Sequence, residues 1–256
     1  MSLLLSLRSE ILKTKRTAAF YFTLIGAAVV PFMFLLNAFT EGLPNENKSN
    51  KDPLNAIFNI SSEMNSIAIF PLFIILLCTL LPQIEHKNNT WKQVLTSPKS
   101  KADVFFGKFL NVLLLMFTFY VANYLFTWAV AVAIHFILPN LNVLQHPLNN
   151  ASIFVNIGNS FVTVLAICTI QFWIGLRSKN FLAPIAIGLV LWLTGTVLAM
   201  EYHSAVAYYL PYSFHVFPVS ASHKPALNQI AWTSVGYAIS MLLLGFLDFT
   251  RRRMTA

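Results

Sequence analysis

Charged side chains are scarce in this sequence. Only 10% of its 256 residues are Asp, Glu, Lys or Arg, whereas a soluble domain carries roughly 25%. Hydrophobic types make up 57% of the chain, and its mean hydropathy is +0.66. So few charges cannot keep so much apolar surface in water, which excludes a disordered chain, a nucleic-acid-binding domain and an ordinary cytosolic enzyme. The composition predicts a polytopic membrane protein.

Cysteine is scarce as well. The chain has two, Cys78 and Cys168, and each lies inside an apolar run. We therefore expect buried thiols that behave as small hydrophobic groups rather than a disulfide framework.

Long uncharged runs define six candidate membrane spans. A hydrocarbon core of about 30 Å requires about 20 apolar residues per helix. No Asp, Glu, Lys or Arg occurs between Phe109 and Leu176, and turn residues near Pro139 and Pro147 divide this run in two. The third span exceeds the length of one perpendicular crossing, so we expect tilt or an extension beyond the membrane. The sequence predicts one all-α transmembrane domain over residues 1–256, with spans at about 17–39, 64–82, 109–138, 151–176, 180–200 and 225–247.

The basic residues predict the orientation. Six spans place both termini on one side, and the loops of that side carry 14 of the 17 Lys and Arg residues. The opposite loops carry three: Lys48, Lys51 and Lys224. Because short cytoplasmic loops are enriched in Lys and Arg, both termini are expected in the cytoplasm. The net charge of +8 is then explained by topology and anionic lipid, without nucleic acid.

Residues 1–16 form a separate amphipathic segment. In a helical projection Leu3, Leu4, Leu7 and Ile11 share one face, and Ser2, Ser6, Ser9 and Lys13 share the other. We expect a helix in the membrane interface that leads into the first span. The alternative is a plain basic flank that only anchors the topology.

No catalytic or metal-binding motif is found. Gly107-Lys108 is followed by Phe109 rather than Ser or Thr, so this pair does not belong to a phosphate-binding loop. His135 is the one histidine within a predicted span, and an interfacial role is the expectation for it. We expect no enzymatic activity, cofactor or metal in this chain.

Neutral polar residues instead mark two predicted helix faces. They are either a substrate path or helix–helix hydrogen bonds worth about 0.6–2 kcal/mol each. The residues are Tyr120, Asn123 and Thr127 in the third span and Asn156, Asn159, Ser160 and Thr163 in the fourth.

The segment 85–108 between the second and third spans is the longest charged loop of the predicted cytoplasmic side. Thr90 is the expected N-cap, Trp91, Val94 and Leu95 form a short apolar face, and Pro98 ends the short helix. Such an amphipathic helix can dock on lipid or on a protein.

The spacing of this loop resembles the permease signature of the ABC-2 family of ABC exporters. Two departures are Asn89 in place of the usual Gly and Trp91-Lys92 in place of a Leu-acid pair. The Thr-Trp-Lys form is similar to the bacteriocin- and lantibiotic-immunity branch. The residues that carry the resemblance are Glu85, Thr90, Leu95, Pro98, Ser100 and Gly107-Lys108.

The resemblance implies a permease subunit of an exporter in the bacterial cytoplasmic (inner) membrane. It implies two partners, a separate ABC ATPase that binds ATP and Mg and a second permease copy or related subunit. The ATPase-coupling residues would be Glu85, Thr90, Trp91, Lys92, Leu95 and Pro98. The uncharged spans favour an amphipathic or hydrophobic substrate, such as a membrane-active peptide, an antibiotic or a lipid. A lipid-modifying membrane enzyme and a channel or structural membrane protein are the alternatives.

Overall fold

A computed structural model describes residues 3–40, 52–87, 100–220 and 223–251, and these ranges contain helices and turns but no β-strand. We number the α-helices of these ranges in chain order. They are α1 (Leu3–Thr14), α2 (Ala18–Thr40), α3 (Pro53–Met64), α4 (Phe70–Lys87), α5 (Lys101–Ile137), α6 (Asn150–Thr163), α7 (Leu165–Arg177), α8 (Leu182–Met200) and α9 (Leu227–Arg251).

Five helical stretches are long and apolar enough to cross a membrane: α2, α3 with α4, α5, α8 and α9. The pair α6 and α7 meets the same criterion as one span bent by 41°. In lipid the backbone must satisfy its own hydrogen bonds, which is why uncharged runs of this length form helices. The predicted all-α polytopic architecture with an N-terminal helix is confirmed.

The bundle has two distinct ends. We call the end at which α9 finishes the terminal end and the opposite one the far end. At the terminal end, Lys101 of α5 donates a hydrogen bond to the carbonyl of Thr250 in α9, and Gln83 of α4 donates one to the carbonyl of Ser178. At the far end, Asn55 of α3 donates to the carbonyl of Pro147, and the Tyr124 hydroxyl of α5 lies 2.9 Å from Asn150 Oδ1. The α6–α7 pair runs from the far end to the terminal end, as a broken span does.

The second span differs from its predicted bounds. A π-helical segment, Asn65–Ile69, joins α3 to α4, so one continuous helical stretch begins at Pro53 rather than at Met64. Asp52 caps it by accepting from the backbone N–H of Asn55, and Pro53 fits the first turn because its missing N–H would have no helical partner. Helix α3 therefore lies where the sequence predicts a loop.

The loop before the third span is shorter than 85–108. Helix α4 continues to Lys87, and α5 starts at Lys101 behind an N-cap from Ser100, which accepts from the N–H of Asp103. The extension that the length of the third span predicts lies at the terminal end of α5.

A serine from another helix holds the bend in the fourth span. The Ser234 hydroxyl of α9 donates to the carbonyls of Val162 and Thr163 and accepts from the N–H of Ala166. These backbone groups flank the break at Val164, where the helical ladder is interrupted. A bend inside lipid requires such a partner for the freed groups.

Aromatic packing fills the centre of the bundle. The ring centroids of Phe70 and Tyr120 are 4.3 Å apart, and those of Phe73 and Phe119 are 4.7 Å apart. Helix α4 also approaches α7 closely, because a Cβ on Gly175 would overlap the carbonyl of Cys78. Cys78 and Cys168 are both buried and free, as the sequence predicts.

Candidate functional site

The N-terminal helix α1 turns its polar face toward the protein. Ser6, Glu10 and Thr14 are buried against α5, whereas Leu4 and Leu12 are exposed. Asn111 of α5 donates to the Thr14 hydroxyl over 2.8 Å. The apolar side of α1 thus faces away from the protein, as expected of an interfacial helix, and the polar side contacts α5.

Four charged side chains of α1, α4 and α5 meet beneath this helix. Lys108 Nζ lies 2.8 Å from Glu10 Oε2 and also pairs with Glu85 Oε1. Lys13 Nζ lies 2.7 Å from Glu10 Oε1 and 3.2 Å from Glu85 Oε1. We call this set of two carboxylates and two ammonium groups the ionic cluster; its formal charge is zero.

Three of the four members of the ionic cluster are withdrawn from solvent, whereas the Lys13 side chain is 35% exposed. Glu85 is 1% exposed, Lys108 5% and Glu10 7%. A buried charge is stable only when a partner compensates for its lost hydration, so each of these groups depends on the others. Glu85 immediately precedes the loop and Lys108 lies near the start of α5, so the cluster joins both sides of the loop to α1.

The pKa values of Glu10 and Lys13 in α1 reflect burial and ion pairing acting in opposite directions. Burial acts to raise the pKa of Glu10, but Lys108 and Lys13 outweigh it, and the pKa lies below its ordinary value of 4.5. Burial acts to lower the pKa of Lys13, but Glu10 and Glu85 outweigh it, and the pKa lies above 10.5. Both groups are therefore charged at neutral pH.

Helices α1 and α5 approach each other closely beside the ionic cluster. A Cβ on Gly107 would lie 2.8 Å from Ser6 Oγ and 3.1 Å from Ser6 Cβ. A side chain at position 107 would therefore force Ser6 or α1 itself to shift. The Gly-Lys pair that carries the family resemblance thus provides a contact surface in Gly107 and a buried charge in Lys108.

Of the predicted coupling residues, Glu85 belongs to the ionic cluster. The other five, Thr90, Trp91, Lys92, Leu95 and Pro98, lie outside the described residues. Sequence reasoning missed Glu10 and the role of Lys13. The signal was present, since Ser6, Glu10 and Thr14 repeat every four residues on one helical face.

The predicted path residues of the third span lie within helix contacts. Asn123 donates to the carbonyl of Ala27 in α2 over 2.8 Å, and the Thr127 hydroxyl donates to the carbonyl of Asn123. Tyr120 is packed against Phe70 and is buried. Asn123 therefore takes part in a contact between α2 and α5.

In the fourth span, Asn156 and Ser160 line a cavity of about 510 Å³ at the far end, between α3 and α6. Ser160 is buried and lies 2.7 Å from the Ser66 hydroxyl of the π segment. Thr163 is directed to its own helix, where it donates to the carbonyls of Asn159 and Ser160. The seven residues thus do not share one surface, and their role as a substrate path stays a prediction.

A second, apolar groove separates α5 from α6. Its volume is about 550 Å³, and Tyr120 lies on its wall beside Phe117, Gly158 and Phe161. Within the four described ranges, no three His, Cys, Asp or Glu side chains come together as metal ligands.

The long apolar helices define an integral membrane protein. The ABC-2 family transporter protein family matches residues 6–195, from α1 into α8. The chain therefore belongs to the ABC-2 family of membrane transporter proteins. A search of curated proteins finds no match.

Proposed function

We propose that this chain is the membrane-spanning permease subunit of an ATP-driven ABC exporter. A separate ABC ATPase supplies the energy and binds ATP and Mg, and a second permease copy or a related subunit completes the translocation path. The chain itself carries out no chemistry. Family membership supports the transporter class, and the ionic cluster supports a mechanical link to the ATPase.

The ionic cluster is the observation that carries the coupling role. Glu85 lies at the end of α4 and Lys108 near the start of α5, so the two sides of the loop are tied to each other and to Glu10 of α1. An ATPase that displaces the loop would move α1, α4 and α5 as one unit. A rigid unit of this kind allows two discrete arrangements of the spans.

The proposed membrane orientation places the terminal end in the cytoplasm. Fourteen of the 17 Lys and Arg residues then lie on the cytoplasmic side, as in other bacterial inner-membrane proteins. The loop meets the ATPase there, and the far end with its cavity opens on the outer side.

The proposed cargo is amphipathic or hydrophobic. The five apolar stretches and the bent pair present few charges, and an uncompensated ion is costly to move past such walls. Membrane-active peptides, antibiotics and lipids share this chemistry.

Co-purification with the ATPase tests the proposal. In a complex reconstituted with an ABC ATPase subunit, Trp91→Ala and Leu95→Asp should each abolish retention of the ATPase, because a buried apolar anchor contributes more than about 2 kcal/mol. The control is Gln93→Ala, which lies off the predicted apolar face and should retain the ATPase. Undiminished retention in both anchor variants would contradict docking through this loop.

A further inference from the structure

The cavity at the far end is a polar groove built from two helical stripes. Helix α3 and its N-cap contribute Asp52, Asn55, Asn59, Ser62 and Glu63, and α6 contributes Ser152, Asn156 and Ser160. The spacing on each helix repeats every three or four residues, so each stripe is one continuous face. The opposite face of α3 holds Leu54, Ile57 and Phe58 in the core. We call this cavity the polar groove.

The polar groove extends from the end of the bundle into its interior. Its mouth joins a second space of about 340 Å³ lined by His146, Pro147 and Asn149. Its inner end reaches Ser160, which is 3% exposed. From Asp52 to Glu63 the helix advances about 16 Å at about 1.5 Å per residue. A groove of this depth can enclose a polar head group and the first part of an attached chain.

The walls of the groove are firmly positioned. Asn55 donates to Asp52 Oδ2 and to the carbonyl of Pro147, and its own oxygen accepts from the N–H of Asn149. On the other wall, Ser160 is fixed by Ser66. These contacts connect α3 with the start of α6, so the spacing between the two stripes is set before any ligand enters.

The charges of the groove favour a cation. Among the described residues, two carboxylates, Asp52 and Glu63, line it together with one ammonium group, that of the exposed Lys224. No described residue forms an ion pair or hydrogen bond with the Glu63 carboxylate, in contrast to that of Glu85 in the ionic cluster. The remaining polar walls are amides and hydroxyls that accept hydrogen bonds. A ligand with several N–H donors and one positive charge complements this set.

We propose that the polar groove binds the primary ammonium group of an amphiphile. Glu63 supplies the charge, Asn59, Asn156 and Ser160 accept the N–H donors, and the exposed Lys224 faces an anionic group on the same molecule. An aminophospholipid and a lysine-bearing amphipathic peptide both present this chemistry. The proposal deepens the proposed exporter function, since it names the part of a cargo that this chain recognises.

Cysteine reactivity measures the charge preference without the ATPase. Ser152→Cys places a thiol in the groove of the full chain in nanodiscs, and Asn140→Cys gives an exposed reference thiol at the same end. Cys78 and Cys168 stay, because they are buried. Rates are compared for aminoethyl and hydroxyethyl methanethiosulfonate. We expect the amino-to-hydroxyl rate ratio to be about threefold higher in the groove than at the reference.

Matched variants test which side chains cause the charge preference of the groove thiol. Glu63→Gln should lower the ratio at Ser152→Cys about threefold, and Lys224→Gln should raise it by a similar factor. Glu201→Gln is the control, since Glu201 is exposed and lies outside the groove. Equal ratios at both thiols, no reaction of the groove thiol with either reagent, or a ratio that Glu63→Gln leaves unchanged would overturn the proposal.

Protection of the groove thiol from the neutral reagent identifies the source of the amine. Protection in phosphatidylethanolamine nanodiscs, but not in phosphatidylcholine ones, assigns the site to an aminophospholipid. Protection in phosphatidylcholine only after addition of a lysine-bearing amphipathic peptide assigns it to a peptide. Absence of protection in both arms overturns amine binding, while the ATPase co-purification result still stands by itself.

Discussion

The two ends of the molecule use the same residue types in opposite ways. At the terminal end, Glu10, Glu85, Lys13 and Lys108 form a closed and charge-balanced cluster. At the far end, Glu63 and Lys224 line an open groove and have no described ion-pair partner. The first arrangement holds helices together, and the second leaves charge available to a ligand. The difference arises from burial, because a buried charge must be paired whereas a solvated one need not be.

The largest expected effect on stability comes from removing the Lys108 charge from the ionic cluster. Lys108→Met leaves the Glu10 and Glu85 carboxylates with only Lys13, and breaking a buried ion pair costs about 3–5 kcal/mol. We expect a corresponding drop in the midpoint of thermal unfolding, measured in detergent by fluorimetry. Lys101→Met is the control because Lys101 is exposed and only donates to the carbonyl of Thr250.

A second variant separates charge balance from packing. Lys108→Met with Glu85→Gln restores neutrality and keeps the Glu10–Lys13 pair at 2.7 Å. This double variant should regain more than half of the lost stability. If it is no more stable than Lys108→Met alone, the loss comes from packing and the cluster is not held by charge.

The next effect tests whether α1 needs close approach to α5. In Gly107→Ala the new methyl group would meet Ser6, and overpacking of this kind costs about 1–3 kcal/mol. Faster proteolysis within α1 is the expected readout. Adding Ser6→Ala removes the nearest atom, Oγ, and should reverse part of the change. Unchanged proteolysis in the single variant would show that α1 does not depend on this contact.

The sequence predicted the helices well and the two ends poorly. Apolar runs determine spans because lipid admits little else, so α2, α5, α8 and α9 follow from composition. The polar face of α1 could be predicted from its spacing, but the pairing of Glu10 with Lys108 could not, because these residues are far apart in sequence and meet only when α1 packs on α5. The groove does not follow from the sequence, which predicts a loop over residues 53–63, and only as the helix α3 do these residues share a polar face.

A smaller effect concerns the bent span that forms one wall of the groove. Ser234→Ala removes the partner of three backbone groups at the break, and hydrogen bonds within membranes contribute about 0.6–2 kcal/mol. Thermal unfolding should shift accordingly. Ser240→Ala on the same helix is the control, since that exposed hydroxyl only donates to carbonyls of its own helix. Equal shifts in both variants would argue against a special role for Ser234.

The smallest expected effect is the pH dependence of α1 docking through the ionic cluster. Glu10 has a pKa below its ordinary 4.5, so its stabilisation of α1 is present above pH 4.5 and lost as the pH falls below that value toward the folded pKa. Lys13 has a pKa above its ordinary 10.5, so its contribution is complete below pH 10.5 and lost as the pH rises beyond it. Between these limits the docking of α1 should not change with pH. The rate of hydrogen exchange of α1 in nanodiscs, corrected for the intrinsic pH dependence of exchange, should therefore be constant from about pH 6 to 9 and faster below about pH 4.5.

In Glu10→Gln the increase of the exchange rate at acid pH should shrink, while the rate at neutral pH rises, because the variant lacks the carboxylate at every pH. If the increase at acid pH keeps its full size in that variant, other groups cause the response, and Glu10 does not hold α1 against α5.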